Sequence, residues 1–231
     1  MTKTAGGRTY GGLTAQDRAS QRRESLVEAG FELFGALGYP NVSVKRICDF
    51  AGLTQRYFYE SFDDRAALLG AVYTYCVDNA RDATLTAAAR VLDDADIGDG
   101  PIPGDLVPEL ASVTLRGFID YLSADARRAR IIMIEVVGVS PELEKLRLQA
   151  IHAWADLILS LATRDTEPTS DQRLASIGLV GALTQMLVDW QTAVAEPTED
   201  GYDTDLFEID AIHRVVTDMF IATYERSLAP E

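Results

Sequence analysis

The sequence predicts an all-α fold, and three observations carry the prediction. Apolar residues recur at helix-face spacing along most of the 231 residues. Helix punctuation, Ser or Thr before and Gly after, separates these stretches in the first third of the chain. The one β-like run, IIMIEVVGV at Ile131–Val139, has no second strand to pair with, and an isolated strand is not viable, so helix is expected there too. With 47% hydrophobic and 25% charged residues, the composition is that of an ordinary soluble globular protein and excludes wholesale disorder.

The elements follow in order. Residues 1–15 read as a flexible, mildly basic arm with Lys3, Arg8 and Tyr10. From about Thr14, Leu26, Ala29, Gly30, Leu33, Phe34 and Leu37 share a helix face. Gly38 is expected to close that helix as a left-handed cap, and Tyr39-Pro40-Asn41 cannot continue it. Ser43 stands at an N-cap, and Val44, Ile47, Cys48 and Ala51 give the next apolar face. Gly52 ends this short helix, and Thr54 is expected to cap another. A fourth helix opens at Asp63-Asp64, acidic residues that suit a helix N-terminus, and runs to about Leu92 through Leu69, Val72, Cys76 and Ala80. Asp93–Asp105 is an acidic loop rich in Gly and Pro. Further helices are expected at about 106–123, 126–138, 141–163, 170–194 and 206–227, with Ser140-Pro141 as a start signal. The domain organisation is therefore an arm (1–15), a small helical domain (16–66) and a larger helical domain (67–231).

Several classes drop out. The longest apolar stretches, Ile131–Val139 and Ile177–Val188, carry Glu135 and Gln185 and are far short of the roughly 20 residues of a membrane span. MTKTAGGRTYGGL has no apolar core and is not a secretory signal, so a cytoplasmic protein is expected. Cys48 and Cys76 lie inside helical patterns and read as small core residues. Charge is divided unevenly. Residues 1–65 hold nine basic and eight acidic side chains, a net of +1, so the other 166 residues hold −16 of the total −15. An acidic protein is repelled by nucleic acid unless its basic groups are concentrated at one end, as here.

Residues 43–62 form a short helix, a tight Ala51-Gly52-Leu53-Thr54 connection and a second short helix, which is helix-turn-helix spacing. Such a unit lays its second helix in the major groove. Thr54, Gln55, Arg56 and Tyr57 occupy the turn that reaches base edges: Gln pairs with adenine, Arg with guanine, and Thr or Tyr touches a thymine methyl. Ser43, Lys45, Tyr59 and Arg65 are spaced to meet phosphates on either side. Phe58 and Phe62 belong to the core.

From about Arg22 through Leu69 the sequence resembles the TetR family of transcriptional repressors. RRESLVEAGFELFGALGY, NVSVKRICDFAGLTQRYFYESFDD and RAALL carry the likeness, through Ala29, Phe34, Gly38, Tyr39, Ser43, Val44, Ile47, Ala51, Gly52, Tyr59, Phe62 and Leu68. The resemblance implies phosphate contacts at Tyr59 and Ser43, with Arg65 where the family usually has a Lys opening the fourth helix. Arg56-Tyr57 departs from the small Gly-Thr pair common there, which bears on the operator sequence and not on the groove assignment. It also implies an all-α homodimer, formed here through about 170–194 and 206–227, and a pocket for a small effector in the middle helices. Those two segments are apolar over wide faces, and Gly178 and Gly181 would let facing helices approach closely.

Plausible pocket walls are Phe118, Tyr121, Met133, Trp154 and Trp190. Glu135, inside an apolar run, needs a partner, with Arg116 or Arg130 as candidates. His152 and His213 have no second ligand at metal spacing, and no nucleophile, base and orienter assemble around them, so neither enzyme nor cofactor nor metal is expected. The expected function is a DNA-binding regulator, a repressor released from a palindromic operator by a small molecule. The alternative is a helical small-molecule binding protein or enzyme on the same fold without a DNA role.

Overall fold

The computed structural model describes residues 14–97, 102–163, 167–195 and 208–228. Lys3, Arg8, Tyr10 and most of the arm, with 98–101 of the acidic loop and 206–207, lie outside them. Every regular element among the described residues is helical. The chain divides into two compact units, Met1–Val72 and Tyr73–Glu231.

In the first unit, α1 (Ala15–Leu37) begins at Thr14, whose hydroxyl accepts the Asp17 N–H at 3.1 Å while Asp17 accepts the Thr14 N–H at 2.8 Å. This reciprocal capping box satisfies two orphan donors, and it holds the exposed Asp17 carboxyl below its usual range. Leu26, Ala29, Leu33 and Phe34 bury the apolar face, whereas Leu37 is only half-buried. Gly38 does take positive φ, but with ψ 144° it is extended rather than the expected left-handed cap. The chain thus leaves α1 directly into a 3-10 turn, Tyr39–Asn41. In α2 (Val44–Ala51), Ser43 is the N-cap and accepts the Arg46 N–H at 3.2 Å. Gly52, at φ 66° and ψ 28°, ends α2 in the left-handed conformation that a side chain would strain. Thr54 stands at the N-cap of α3 (Gln55–Ser61), but its side chain makes no capping bond, correcting the expectation of a Thr54 cap.

The last element, α4 (Arg65–Asp94), opens where Asp64 accepts the Ala67 N–H at 2.7 Å, and it is continuous across the division between units. Its first turns belong with the first unit because Gly30 offers no side chain there. A Cβ on Gly30 would stand 2.9 Å from Val72.

The second unit contains the rest of α4, then α5 (Val107–Ser123), α6 (Ala126–Arg130), α7 (Pro141–Thr163), α8 (Ser170–Ala195) and α9 (Ile209–Thr223). The β-like run is helical, but not uniformly. Ile131–Glu135 widens into a π-helical turn, as does Tyr224–Leu228 after α9. Glu135 is buried and paired with Arg130, Nε to Oε1 at 2.7 Å. The other candidate, Arg116, instead joins α5 to α9. It meets Asp210 at 2.8 Å and places Nη2 3.3 Å from His213 Nδ1. His213 Nε2 lies 2.8 Å from the Ser112 carbonyl. A carbonyl only accepts, so His213 Nε2 is the donor in that contact. Packing centres on Ile119, Leu122, Leu187, Trp190, Ile212 and Val216. Cys48 and Cys76 are both buried and free.

Candidate nucleic-acid interface and ligand cavity

In the first unit, α1, α2 and α3 pack on one another. The Leu53 N–H donates to the Cys48 carbonyl at 2.9 Å, which closes the connection between α2 and α3. Phe58 anchors α3 from beneath, fully buried, with Phe62 at 6.0 Å between ring centres. With 3.6 residues per turn, burial of Phe58 turns Arg56 and Glu60 outward and leaves Tyr59 at the side. Arg56 is 84% exposed on its side chain and Tyr59 59% exposed. Thr54 and Gln55 are exposed as well. This is a polar, hydrogen-bonding helix face on a rigid support.

The other expected contacts divide. Ser43 and Lys45 are exposed, with Lys45 Nζ 2.6 Å from Asp49, an ion pair that raises the lysine pKa. Tyr57 is half-buried, and the Arg22 guanidinium sits 4.5 Å over its ring, so it is less open than Gln55 and Arg56. Arg65 is tied within the protein through one of its nitrogens. Its Nη1 donates to the Tyr39 carbonyl at 3.1 Å and to the Val42 carbonyl, and its guanidinium lies 4.7 Å over the Tyr39 ring. It fastens the start of α4 to the turn after α1. Sequence spacing does not show these carbonyls.

The second unit encloses a cavity of about 690 Å3, walled by α4, α5, α7, α8, α9 and the π-helical turn. Phe118, Met133 and Trp154 line it, and Phe118 and Trp154 meet edge to face at 5.0 Å. Tyr121 and Trp190 are not among its lining residues, correcting two of the five expected walls. Tyr121 is covered by the Arg128 guanidinium at 4.3 Å. Trp190 packs with Leu187, Phe118 and Met133 in the core, beyond the lining residues Leu179 and Leu183 on the same stripe of α8. Arg147 also lines the cavity and was missed by sequence reasoning. Its signal is periodic: Arg147, Ile151, Trp154, Ile158 and Leu161 recur at helical spacing along α7, so the cation occupies an inward position of an otherwise apolar stripe. No group of three His, Cys, Asp or Glu side chains suited to a metal occurs among the described residues. Nor is any helix among them long and apolar enough to cross a membrane.

A compact helix-turn-helix unit followed by a helical unit with an internal apolar cavity defines the class of one-chain transcriptional regulators. Comparison with known proteins makes the class specific. Residues 26–72, the helix-turn-helix unit with its flanking helices, match the family model described as bacterial regulatory proteins, tetR family. It is 24% identical over 179 residues to the HTH-type transcriptional activator FasR of Mycolicibacterium smegmatis, a match covering 77% of this chain and 74% of that one. The fatty acid degradation regulator FadR from Bacillus halodurans shares the fold at TM-score 0.60 and 16% identity, over 85% of this chain and 94% of that one. FadR from Bacillus subtilis, solved in complex with stearoyl-CoA, matches at TM-score 0.60 and 16% identity, over 86% and 97%.

Proposed function

We propose that this chain is a cytoplasmic, sequence-specific repressor, held on a palindromic operator as a homodimer and released by a long-chain acyl effector. The observation that carries the DNA reading is the outward face of α3, where Gln55 and Arg56 stand exposed over the buried Phe58. Gln55 would read adenine and Arg56 guanine, with Ser43, Lys45 and Tyr59 on the backbone and Thr54 and Tyr57 at the flanks. Arg65, already bound to two carbonyls, would add its remaining N–H groups to a phosphate.

The dimer reading is supported by α8 and α9. Leu174 is 67% exposed, Val194, Val215 and Met219 are also exposed, and nothing lies within 4 Å of a Cβ built on Gly178 or Gly181. A twofold dimer would present two copies of α3 to successive half-sites. The effector reading is supported by the apolar cavity and by the stearoyl-CoA bound to the Bacillus subtilis relative. Release requires only that the effector bind a DNA-incompetent conformer more tightly, by a few kcal/mol. The relative named as an activator supports a second reading, with the same DNA face and the opposite sign on transcription. A promoter fusion with and without the protein distinguishes the two.

The test is fluorescence anisotropy on DNA from upstream of the gene, against scrambled DNA and across salt. A regulator prefers the upstream DNA by about a thousandfold with a steep salt slope. Gln55→Ala and Arg56→Ala should each relax base choice by about 1–3 kcal/mol, whereas Tyr59→Phe should weaken all DNA alike. Alanine at Gln55, Arg56 and Tyr57 together with operator selectivity intact would sink the assignment of α3. Ligand binding without salt-sensitive DNA affinity would favour a binding protein that has no DNA role.

A further inference from the structure

Polar groups are unevenly distributed in the cavity wall. The Thr84, Thr114 and Thr184 hydroxyls donate to carbonyls of their own helices, at 2.9, 2.6 and 2.7 Å. The Gln185 amide donates to Asp189 at 3.0 Å. Arg147 carries the sole formal charge among the described lining residues. Its place is fixed from outside the cavity. Glu144 Oε1 accepts the Gly138 N–H at 2.8 Å, and Oε2 accepts Arg147 Nε at 3.1 Å and Nη2 at 3.0 Å. Both guanidinium bonds fall on one oxygen, and Nη1 has no partner among the described residues. The Gly138 tether puts this end of the cavity beside Val137, a lining residue that is 54% exposed.

Tyr73 lines the same cavity and is 3% exposed, and its hydroxyl has no hydrogen-bond partner among the described residues. Burial pushes its pKa up to about 12 against the opposing charge of Arg147, so the phenol remains a donor at neutral pH. A buried phenol and a tethered guanidinium thus offer unassigned N–H and O–H groups, with no acceptor of the protein's own to take them. From Arg147 the wall runs along α7 through Trp154 to Leu161, fourteen residues on and about 21 Å away at 1.5 Å per residue.

We infer that the Arg147–Tyr73 end of the cavity anchors the anionic head of a single-chain amphiphile, whose alkyl tail lies along α7 toward Leu161 and Tyr224. The inference rests on the proposed acyl effector and adds a polarity and a head-group chemistry to it. A carboxylate or phosphate oxygen there accepts from Nη1 of Arg147 and from the Tyr73 hydroxyl, and such charge-assisted bonds are the strong ones. Glu144 positions Arg147 without touching the ligand.

The test is titration of the full chain with palmitate, palmitoyl-CoA and cetyl alcohol, followed by tryptophan emission, to which Trp154 in the wall reports. Cetyl alcohol has the palmitate chain length and no charge. The wild type should prefer palmitate to cetyl alcohol by roughly tenfold to a hundredfold. Arg147→Gln should bring that ratio close to one, Tyr73→Phe should reduce it several-fold, and Arg147→Lys should keep most of it. If Arg147→Gln weakens palmitoyl-CoA equally, the anchored group is a phosphate of the head; if it weakens palmitate alone, it is the carboxylate. A palmitate-to-alcohol ratio unmoved by Arg147→Gln would overturn the anchor and leave the alkyl cavity standing. Failure of all three probes to bind would instead overturn the acyl-effector reading itself.

Discussion

The two units differ in how densely their large side chains are packed. In the first, Phe34 and Phe58 are fully buried, and seven of the twelve largest fully buried side chains of the chain lie within residues 1–72. The second unit is more than twice as long and holds only five of them. Its Phe118, Trp154, Phe220 and Tyr224 stand instead around about 690 Å3 of open space. A surface that must match the fixed geometry of a double helix needs side chains locked from beneath, as Phe58 locks α3. A chamber that admits a ligand must forgo such contacts, since each void removes dispersion partners from its lining. Rigidity in one unit and vacancy in the other are therefore separate solutions from one alphabet of Phe, Trp, Leu and Val.

The contrast can be broken at its densest point. Phe58→Ala should cost about 3–5 kcal/mol, a large share of the stability of a small domain, and abolish DNA binding. Thermal unfolding followed by circular dichroism measures it, and a cost under 1 kcal/mol would mean that α3 is not held from below.

Alkaline pH should act on the other unit. Burial pushes the Cys76 thiol from 9.0 and the Tyr73 phenol from 10.0 up to about 12 in the fold. Raised folded-state values contribute stability that is complete below the unfolded values and lost as pH climbs from about 9 through 12, on the order of a few kcal/mol. Unfolding midpoints across that window, with Cys76→Ala as control, should show a shallower fall for the variant.

Filling the cavity should be nearly silent for stability. Ala150→Phe, at a half-buried wall position, should change it by less than about 1 kcal/mol while weakening palmitate binding more than tenfold. A large loss of stability would show that the space around Ala150 is already filled.

The smallest effect concerns Glu60, whose carboxylate is 2.9 Å from Arg56 Nε. The exposed pair is worth only about 0.3–0.5 kcal/mol. Glu60→Gln should leave the melting temperature in place and tighten DNA binding several-fold, because it frees Arg56 and removes a like charge from the phosphates.

Much of this division could be read before any coordinates, because its signals are local. Ser43 caps the helix it precedes, Gly52 takes positive φ, and α7 begins at Pro141, since these depend on a residue and its next few neighbours. The exposure of Arg56 follows from helical periodicity about the buried Phe58, and that of Gln55 from its place at the first residue of α3. What was not legible depends on distant partners. Arg65 is directed to the Tyr39 and Val42 carbonyls, more than twenty residues back. Tyr121 and Trp190 are absent from the cavity lining because Arg128 and Leu187 occupy their surroundings. The π-helical turn at Ile131–Glu135 departs from the regular helical period on which the sequence reading relied.

The self-pairing of cations in the first unit has a consequence for how the protein finds its target. Lys45 is held by Asp49, Arg56 by Glu60, Arg22 lies over Tyr57 and 4.0 Å from Glu60, and Arg65 is bound to backbone. These exposed pairs are weak and open to competition from phosphates, and the −16 on residues 66–231 opposes contact with arbitrary chromosomal DNA. Under the proposed function, bulk chromosome would then compete less for the protein than its first unit alone would suggest. More of the cellular pool would diffuse freely between encounters, and occupancy of an operator would depend on the side chains that discriminate bases more than on general adhesion.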